Sequence, residues 1–273
     1  MNNKWLSLCV NGSNQRLEII GSYFDSYSLG NQINSDSITM YFFIEDKEKV
    51  ENILSGINDK HHIQYDWGSI KSENWMSNWK DFFNPVSIKD KVLIIPDWDQ
   101  NDYSQDYIIK ICPAMAFGTG HHASTQLVIE QMLHYDIGAC DTLLDLGTGS
   151  GILSILAKKM GVSDIVSIDI DSVCEDNFHQ NCKLSNVSEI NFIISDVHEY
   201  DSYQHDIIVA NIDKKNIVKI LDKYQKSKTE ALLILAGLLD SDLDDIKNCI
   251  RDCVIDNILQ KDEWISLAIK KTI

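Results

Sequence analysis

TLLDLGTGSGILSILAKKMG, residues 142 to 161, decides the fold. TLLDL is a short apolar run and reads as a strand. Glycines follow at 147, 149 and 151, in the spacing G-x-G-x-G. GILSILAKKMG then reads as a helix that stops at Gly161, where a left-handed residue can end it. Strand, glycine turn, helix is the setting in which a glycine loop can hold a ligand against the backbone. Gly147 lets the chain turn sharply, and Gly149 and Gly151 keep side chains away from whatever lies on it.

The pattern continues downstream. DIVSIDI reads as a strand, SVCEDNFHQNCKLSN as a helix, INFIISD and HDIIVANI as strands, and NIVKILDKYQK as a helix. ALLILAGL is a further strand and DSDLDDIKNCIRD a helix. Short apolar strands alternating with helices predict an α/β fold with a doubly wound, mostly parallel sheet. Upstream, STQLVIEQMLHYD reads as a helix with Ser124 or Thr125 as its cap.

The first 70 residues differ. KWLSLCV and SITMYFFIED read as strands, and DKEKVENILSGI as a helix with Val50, Ile53, Leu54 and Ile57 at helical spacing. They predict a small α+β unit over 1–70. Residues 71–110 carry Trp75, Trp79, Trp98, Pro85 and Pro96. A flexible linker would not hold so many aromatics, so a packed connector is expected. KVLIIPDW reads there as a strand ended by Pro96. The regular α/β domain is placed at 111–273.

The chain has 273 residues, 44% of them hydrophobic, which suffices for a core without staples. Its net charge is −17. That balance disfavours direct nucleic-acid binding, since a polyanion repels a polyanion, and it suits a basic protein partner or simple solubility. The opening MNNKWLSLCVNGSN offers no signal-peptide core, and no window approaches a membrane span. Seven cysteines without a CxxC pair fit reduced, packed thiols in a cytoplasm.

The G-x-G-x-G loop is tighter than the G-x-G-x-x-G pattern that sets a pyrophosphate over a helix N-terminus. Preceded by Asp145, it is more typical of S-adenosylmethionine binding. Asp169 lies twenty-two residues after Gly147, at the end of VSIDID, where a carboxylate can accept both ribose hydroxyls. Asp196 ends the next strand, in reach of an adenine amino group. Asn211 ends VANI, on the strand edge where ligands bind in open α/β folds, and its carbonyl could accept a hydrogen bond from a substrate amine. Against this stand plainer readings. Acidic residues can merely end strands in an acidic protein, and Asn after a strand is a common turn residue.

A second Gly-Thr-Gly turn lies upstream in PAMAFGTGHHASTQ, residues 113–126. AFGTGHHAST, LLDLGTGSGILSILAKKMG, SIDID and VANI together resemble the ribosomal protein L-eleven methyltransferase family over about residues 110–240. ENWMSNWKDFFNP and the later Pro-Asp-Trp are similar to that family's connector. The resemblance implies a Rossmann-like methyltransferase domain behind a ferredoxin-like substrate-recognition unit. It implies that the first Gly-Thr-Gly belongs to a loop over the cofactor. By position Thr125 contacts S-adenosylmethionine, Gly147 lies under it with Gly149, Asp169 holds the ribose and Asn211 sits by the transferred methyl. Phe117 would cover the methionine portion or the adenine. Ser124 stands where members commonly have Thr, and Asp213 where many have an apolar residue.

The implied substrate is ribosomal protein L eleven, methylated on lysine and N-terminal amines, and a cytoplasmic monomer is expected. Adjacent residues rarely share one ion, so His121 and His122 predict no metal site, and His122 is expected to shape its loop by hydrogen bonding. Other readings stay open: a methyltransferase for another protein or small-molecule amine, or a cofactor-binding module without catalysis. Glutamine methylation is disfavoured, because NIDK replaces an Asn-Pro-Pro-Tyr motif. A nicotinamide-dependent dehydrogenase is disfavoured by the glycine spacing.

Overall fold

The structure is a computed structural model. It describes residues 5–12, 17, 20, 23–24, 28, 30–33, 36–61, 63–70, 84–112 and 119–272. Met1–Asn84 and Pro85–Ile273 form two compact units.

In the first unit β1 (Trp5–Asn11), β2 (Gly30–Ile33), β3 (Ser37–Phe43) and β4 (Gln64–Ile70) form an antiparallel sheet of order β2-β3-β1-β4. α1 (Lys47–His61) connects β3 to β4, and Leu17 and Ile20, between β1 and β2, are helical and buried. This is the ferredoxin-like strand order. Strand alternation puts Leu8, Val10, Ile38, Met40 and Phe42 on one face, where they bury with Val50, Leu54 and Ile57 of α1. SITMYFFIED was expected to run as strand to its end. Instead β3 stops at Phe43, and Ile44–Asp46 form a 3-10 turn into α1.

The second unit opens with β5 (Val86–Ile88), β6 (Val92–Pro96) and β7 (Tyr107–Ile111). β6 pairs antiparallel with β5 and parallel with β7. Its main sheet is built from β8 (Thr142–Leu146), β9 (Asp164–Asp169), β10 (Asn191–Ile194), β11 (Ile207–Asn211), β12 (Leu232–Leu239), β13 (Cys253–Lys261) and β14 (Trp264–Lys271). The order is β10-β9-β8-β11-β12-β14-β13. The first five are mutually parallel, and β14 runs antiparallel to β12 and β13. The winding direction reverses between β8 and β11, so the carboxyl ends of those strands open the crevice where such folds bind ligands.

Four connecting helices and one preceding the sheet follow from sequence patterning. α2 (Ala123–His134) lies against β12 and β14; it buries Leu127, Val128, Ile129 and Met132 and also Gln131, and so is covered nearly all round. α3 (Ile152–Met160) ends at Gly161 with φ 116°, and Val162 N–H reaches back to Ala157 O. α4 (Val173–Leu184), α5 (Lys214–Lys226) and α6 (Leu243–Cys249) complete the set. α5 buries Ile217, Ile220, Leu221 and Tyr224, the i, i+3, i+4, i+7 stripe of a half-exposed helix.

Two features depart from the sequence reading. The alternation of strand and helix was followed only to DSDLDDIKNCIRD, yet the chain continues as the hairpin β13–β14 and inserts β14 beside β12. The expected cap of α2 at Ser124 or Thr125 is instead His122. Its Nδ1 accepts from Ser124 N, and both hydroxyl residues lie inside the first turn.

Candidate active site

The glycine loop links β8 to α3. Gly147 and Gly149 have φ of 78° and 52°, where an L side chain is strained. A Cβ on Gly147 would stand 2.4 Å from Ile212 Cγ2. The N–H groups of Gly147 and Thr148 donate to Ile168 O at 2.8 and 3.0 Å. Gly149 N–H donates to Asp169 Oδ2 at 2.8 Å, and Asp171 N–H to Asp169 Oδ1 at 3.0 Å. The carboxylate at the end of β9 thus ties the glycine loop to its own turn. Gly151 has a packing reason: a Cβ there would lie 2.5 Å from the Phe178 ring of α4.

Asp145 is fully buried under this loop. Its Oδ2 accepts from Thr148 Oγ1 and Ser154 Oγ, both at 2.7 Å, and Ser154 Oγ in turn meets Ser167 Oγ at 2.7 Å. Burial pushes its carboxyl up to about 6 against the pull of the two hydroxyls. The acid is therefore a brace for the loop from below.

Asn211 ends β11. Its Nδ2 donates to Thr125 Oγ1 on α2 at 3.2 Å. Its Oδ1 is buried and has no partner among the described residues. A buried amide oxygen left unmade costs about 1–3 kcal/mol, so it marks a place where something else donates. Asp196, past the end of β10, accepts from His198 N at 2.9 Å. His198 Nε2 meets Asn216 Oδ1 at 2.8 Å. Asn216 Nδ2 donates to Asp213 Oδ2 at 2.6 Å, so His198 is the donor to the amide oxygen. Phe117 lies outside the described residues. Thr125 and Asn211 are brought into contact, as are Gly149 and Asp169; Asp196 joins neither pair directly. Among the described residues no cluster of three or more His, Cys, Asp or Glu side chains could hold a metal, and no helix is long and apolar enough to cross a membrane.

A sequence model described as ribosomal protein L11 methyltransferase (PrmA) matches residues 12–272. The chain belongs to that family. It is 33% identical over 242 residues to the ribosomal protein L11 methyltransferase of Bacillus pumilus, covering 86% of this chain and 78% of the relative. The namesake from Dictyoglomus turgidum is 31% identical over 225 residues, covering 81% and 74%. Among solved structures, the ribosomal protein L11 methylase of Lactobacillus delbrueckii subsp. bulgaricus superposes with a TM-score of 0.65 at 26% identity, covering 70% of this chain and all of that one.

Within a ribosomal protein L11 methyltransferase framework, Asp213 has a local explanation. Its side chain accepts from Asn216 N and caps α5. Other contributors were missed from sequence. Asn181 of α4 is fully buried, accepts from Cys112 N at 2.7 Å and donates to Ser150 O at 2.9 Å. It joins the glycine loop to the end of β7. Asn177 and Ser185 lie four residues either side of it on the same helix face and bond Cys112 O and the Lys110 backbone. Three polar residues at i, i+4, i+8 were the available signal. Gly237 of β12 was missed as well. It has φ 86°, and a Cβ there would stand 2.2 Å from Ile212 O, one residue beyond Asn211.

Proposed function

We propose that this chain is an S-adenosylmethionine-dependent methyltransferase that modifies lysine side-chain and N-terminal amines of ribosomal protein L11, working as a cytoplasmic monomer. The observation that carries this reading is Asn211: its amide nitrogen is held by Thr125, and its oxygen, at the carboxyl edge of the sheet, is buried without a partner among the described residues.

The residues present fit the cofactor. Positive-φ glycines at 147 and 149 leave the backbone bare, and Asp169 supplies a strand-end carboxylate beside it for ribose hydroxyls. Asp196 is the candidate partner of the adenine amino group. When bound, S-adenosylmethionine supplies a methyl group on a sulfonium, which is already a good leaving group. The work left to the chain is alignment. Asn211 Oδ1 accepts an N–H of the substrate amine and so directs the nitrogen lone pair. The attacking lysine must be neutral, while its ordinary pKa is near 10.4. Burial in the crevice and a neighbouring positive charge both lower it.

The N-terminal α+β unit is assigned to substrate presentation, with 1–70 as its extent and 71–110 as connector to the catalytic domain. A net charge of −17 favours encounter with a basic protein. The test is intact-mass spectrometry of unmethylated L11 after incubation with the protein and S-adenosylmethionine. Mass gains in steps of one methyl group are expected. Cofactor binding confirmed by calorimetry, with no gain on L11, would move the substrate elsewhere.

A further inference from the structure

The C-terminal hairpin touches the other Gly-Thr-Gly element. Gln126, on α2 beside Thr125, is 9% exposed. Its two amide hydrogens are both committed to backbone: Nε2 donates to Gly120 O at 3.0 Å and to His121 O at 2.9 Å. Its Oε1 accepts from Lys261 Nζ at 2.5 Å, at the last residue of β13. Directly across the turn from Lys261, its cross-strand partner Trp264 opens β14 with its ring 4.5 Å from that of His122, edge to face. His122 in turn caps α2 through Ser124 N. The hairpin end therefore reaches the segment Thr119–His122 by two routes, Lys261 through the Gln126 amide and Trp264 through its ring contact with His122. Nothing in core packing requires this. Lys261 is exposed, and beyond Cys253 β13 alternates partly buried and exposed residues.

We infer that Gln126 and Lys261 are positioning residues: a clamp by which the C-terminal hairpin holds the Thr119–His122 loop, and with it Thr125 and Asn211, in the geometry that receives the cofactor. The inference rests on the functional reading above. Gln126 is the hub, because an amide can donate to two carbonyls and accept from an ammonium at once. No carboxylate could replace it, since that group has no hydrogens to give. The Gly120 and His121 carbonyls fix which way the amide faces, and Lys261 holds its oxygen end toward β13, so the side chain spans from hairpin to loop.

The test compares wild type, Lys261→Met, Lys261→Arg, Gln126→Glu and the double variant Lys261→Met/Gln126→Glu. Binding of S-adenosylhomocysteine is measured by calorimetry and thermal midpoint by scanning calorimetry. Lys261→Met keeps the stem and removes only the donor to one amide oxygen, so its thermal midpoint falls by no more than about 2–4 °C. Its cofactor Kd and KM rise about tenfold, the size of one charge-assisted hydrogen bond, while KM for L11 is unchanged. Lys261→Arg restores binding to within about twofold of wild type, since it keeps a donor in reach. The double variant is no weaker than Gln126→Glu alone: glutamate still accepts from Lys261 but donates nothing to the loop, so the lysine no longer acts on it. Wild-type affinity in Lys261→Met and Gln126→Glu overturns the clamp and leaves the functional reading intact. Additive losses in the double variant also overturn it. A wild-type chain that binds no S-adenosylhomocysteine overturns the functional reading and the clamp together.

Discussion

Asn211 Nδ2 and Thr125 Oγ1 are 3.2 Å apart and join the end of β11 to the first turn of α2. The contact spans eighty-six residues of sequence. It commits an amide hydrogen to the protein and leaves Oδ1 without a partner among the described residues. An amide so fixed can select an N–H donor without reorganising when the donor arrives.

Asn211→Ala should then lower kcat by about 100-fold, the loss that follows when reacting atoms are misplaced by about 1 Å. Cofactor Kd should stay within about threefold, because Asn211 faces the substrate amine in this assignment. Steady-state kinetics with calorimetry on the same sample decides it. Equal losses in binding and turnover would place Asn211 on the cofactor instead.

Asp169→Ala should raise cofactor Kd by about 10- to 100-fold, with a smaller change in kcat. Hydrogen bonds to a charged group contribute about 1.5–3 kcal/mol. Part of the loss is indirect, because the same carboxylate accepts from Gly149 N. Asp169→Asn can keep that one acceptance but not a paired grip on two hydroxyls, and should fall between alanine and wild type. Unchanged affinity in Asp169→Ala would show that the ribose is held elsewhere.

Asp145 makes stability depend on pH. Its carboxyl is raised to about 6 in the folded chain from 3.8, and burial is the main cause. Between about pH 4 and pH 6 the folded state binds more protons than the unfolded state. Stability therefore falls as pH rises through that window and levels off above it. The charged form costs on the order of 3 kcal/mol at neutral pH. Asp145→Asn should flatten this slope, and urea denaturation of both proteins from pH 4 to pH 8 measures it. Parallel slopes would mean that the buried acid is not the titrating group.

Most of the catalytic-domain sheet was legible because its signals are local. TLLDL, DIVSID and IIVAN are apolar runs of strand length, and the glycine loop and Gly161 punctuate them. The small α+β unit was legible from the aromatic and β-branched run SITMYFF and from the helical spacing of Val50, Ile53, Leu54 and Ile57. The final hairpin was passed over although Cys253–Lys261 alternates with period two. Its strand pairs antiparallel in an otherwise parallel sheet, which the repeating strand–helix rhythm does not announce. The candidate site divides in the same way. Gly147, Asp169 and Asn211 stand at strand ends, where position alone suggests a role. Asn181 and Gln126 act through long-range hydrogen bonds, from Cys112 N and from Lys261 Nζ, and no periodicity encodes a partner sixty-nine or 135 residues away. His122 displaced Ser124 as cap because its ring also packs on Trp264, a tertiary contact that outweighs capping preference.

Gly237 tests the link between fold and site. ALLILAGL reads as a plain buried strand, yet an isolated glycine in such a run marks a bulge or a close backbone approach. Both occur. The pairing of β12 with β14 slips between Leu235 and Leu238, and Ile212 N–H donates to Ala236 O at 3.2 Å. At φ 86° a Cβ would meet Ile212 O at 2.2 Å, backbone that no rotamer change can move aside. Gly237→Ala should cost about 2–4 kcal/mol, combining left-handed strain with displacement of residue 212. Displacing Ile212 also drags Asn211, its neighbour. At a temperature where the variant is still folded, kcat should drop about tenfold or more, with cofactor affinity nearly kept. Urea denaturation gives the first quantity and kinetics the second. A destabilised variant with wild-type kcat would show that β12 supports the sheet without setting the position of Asn211.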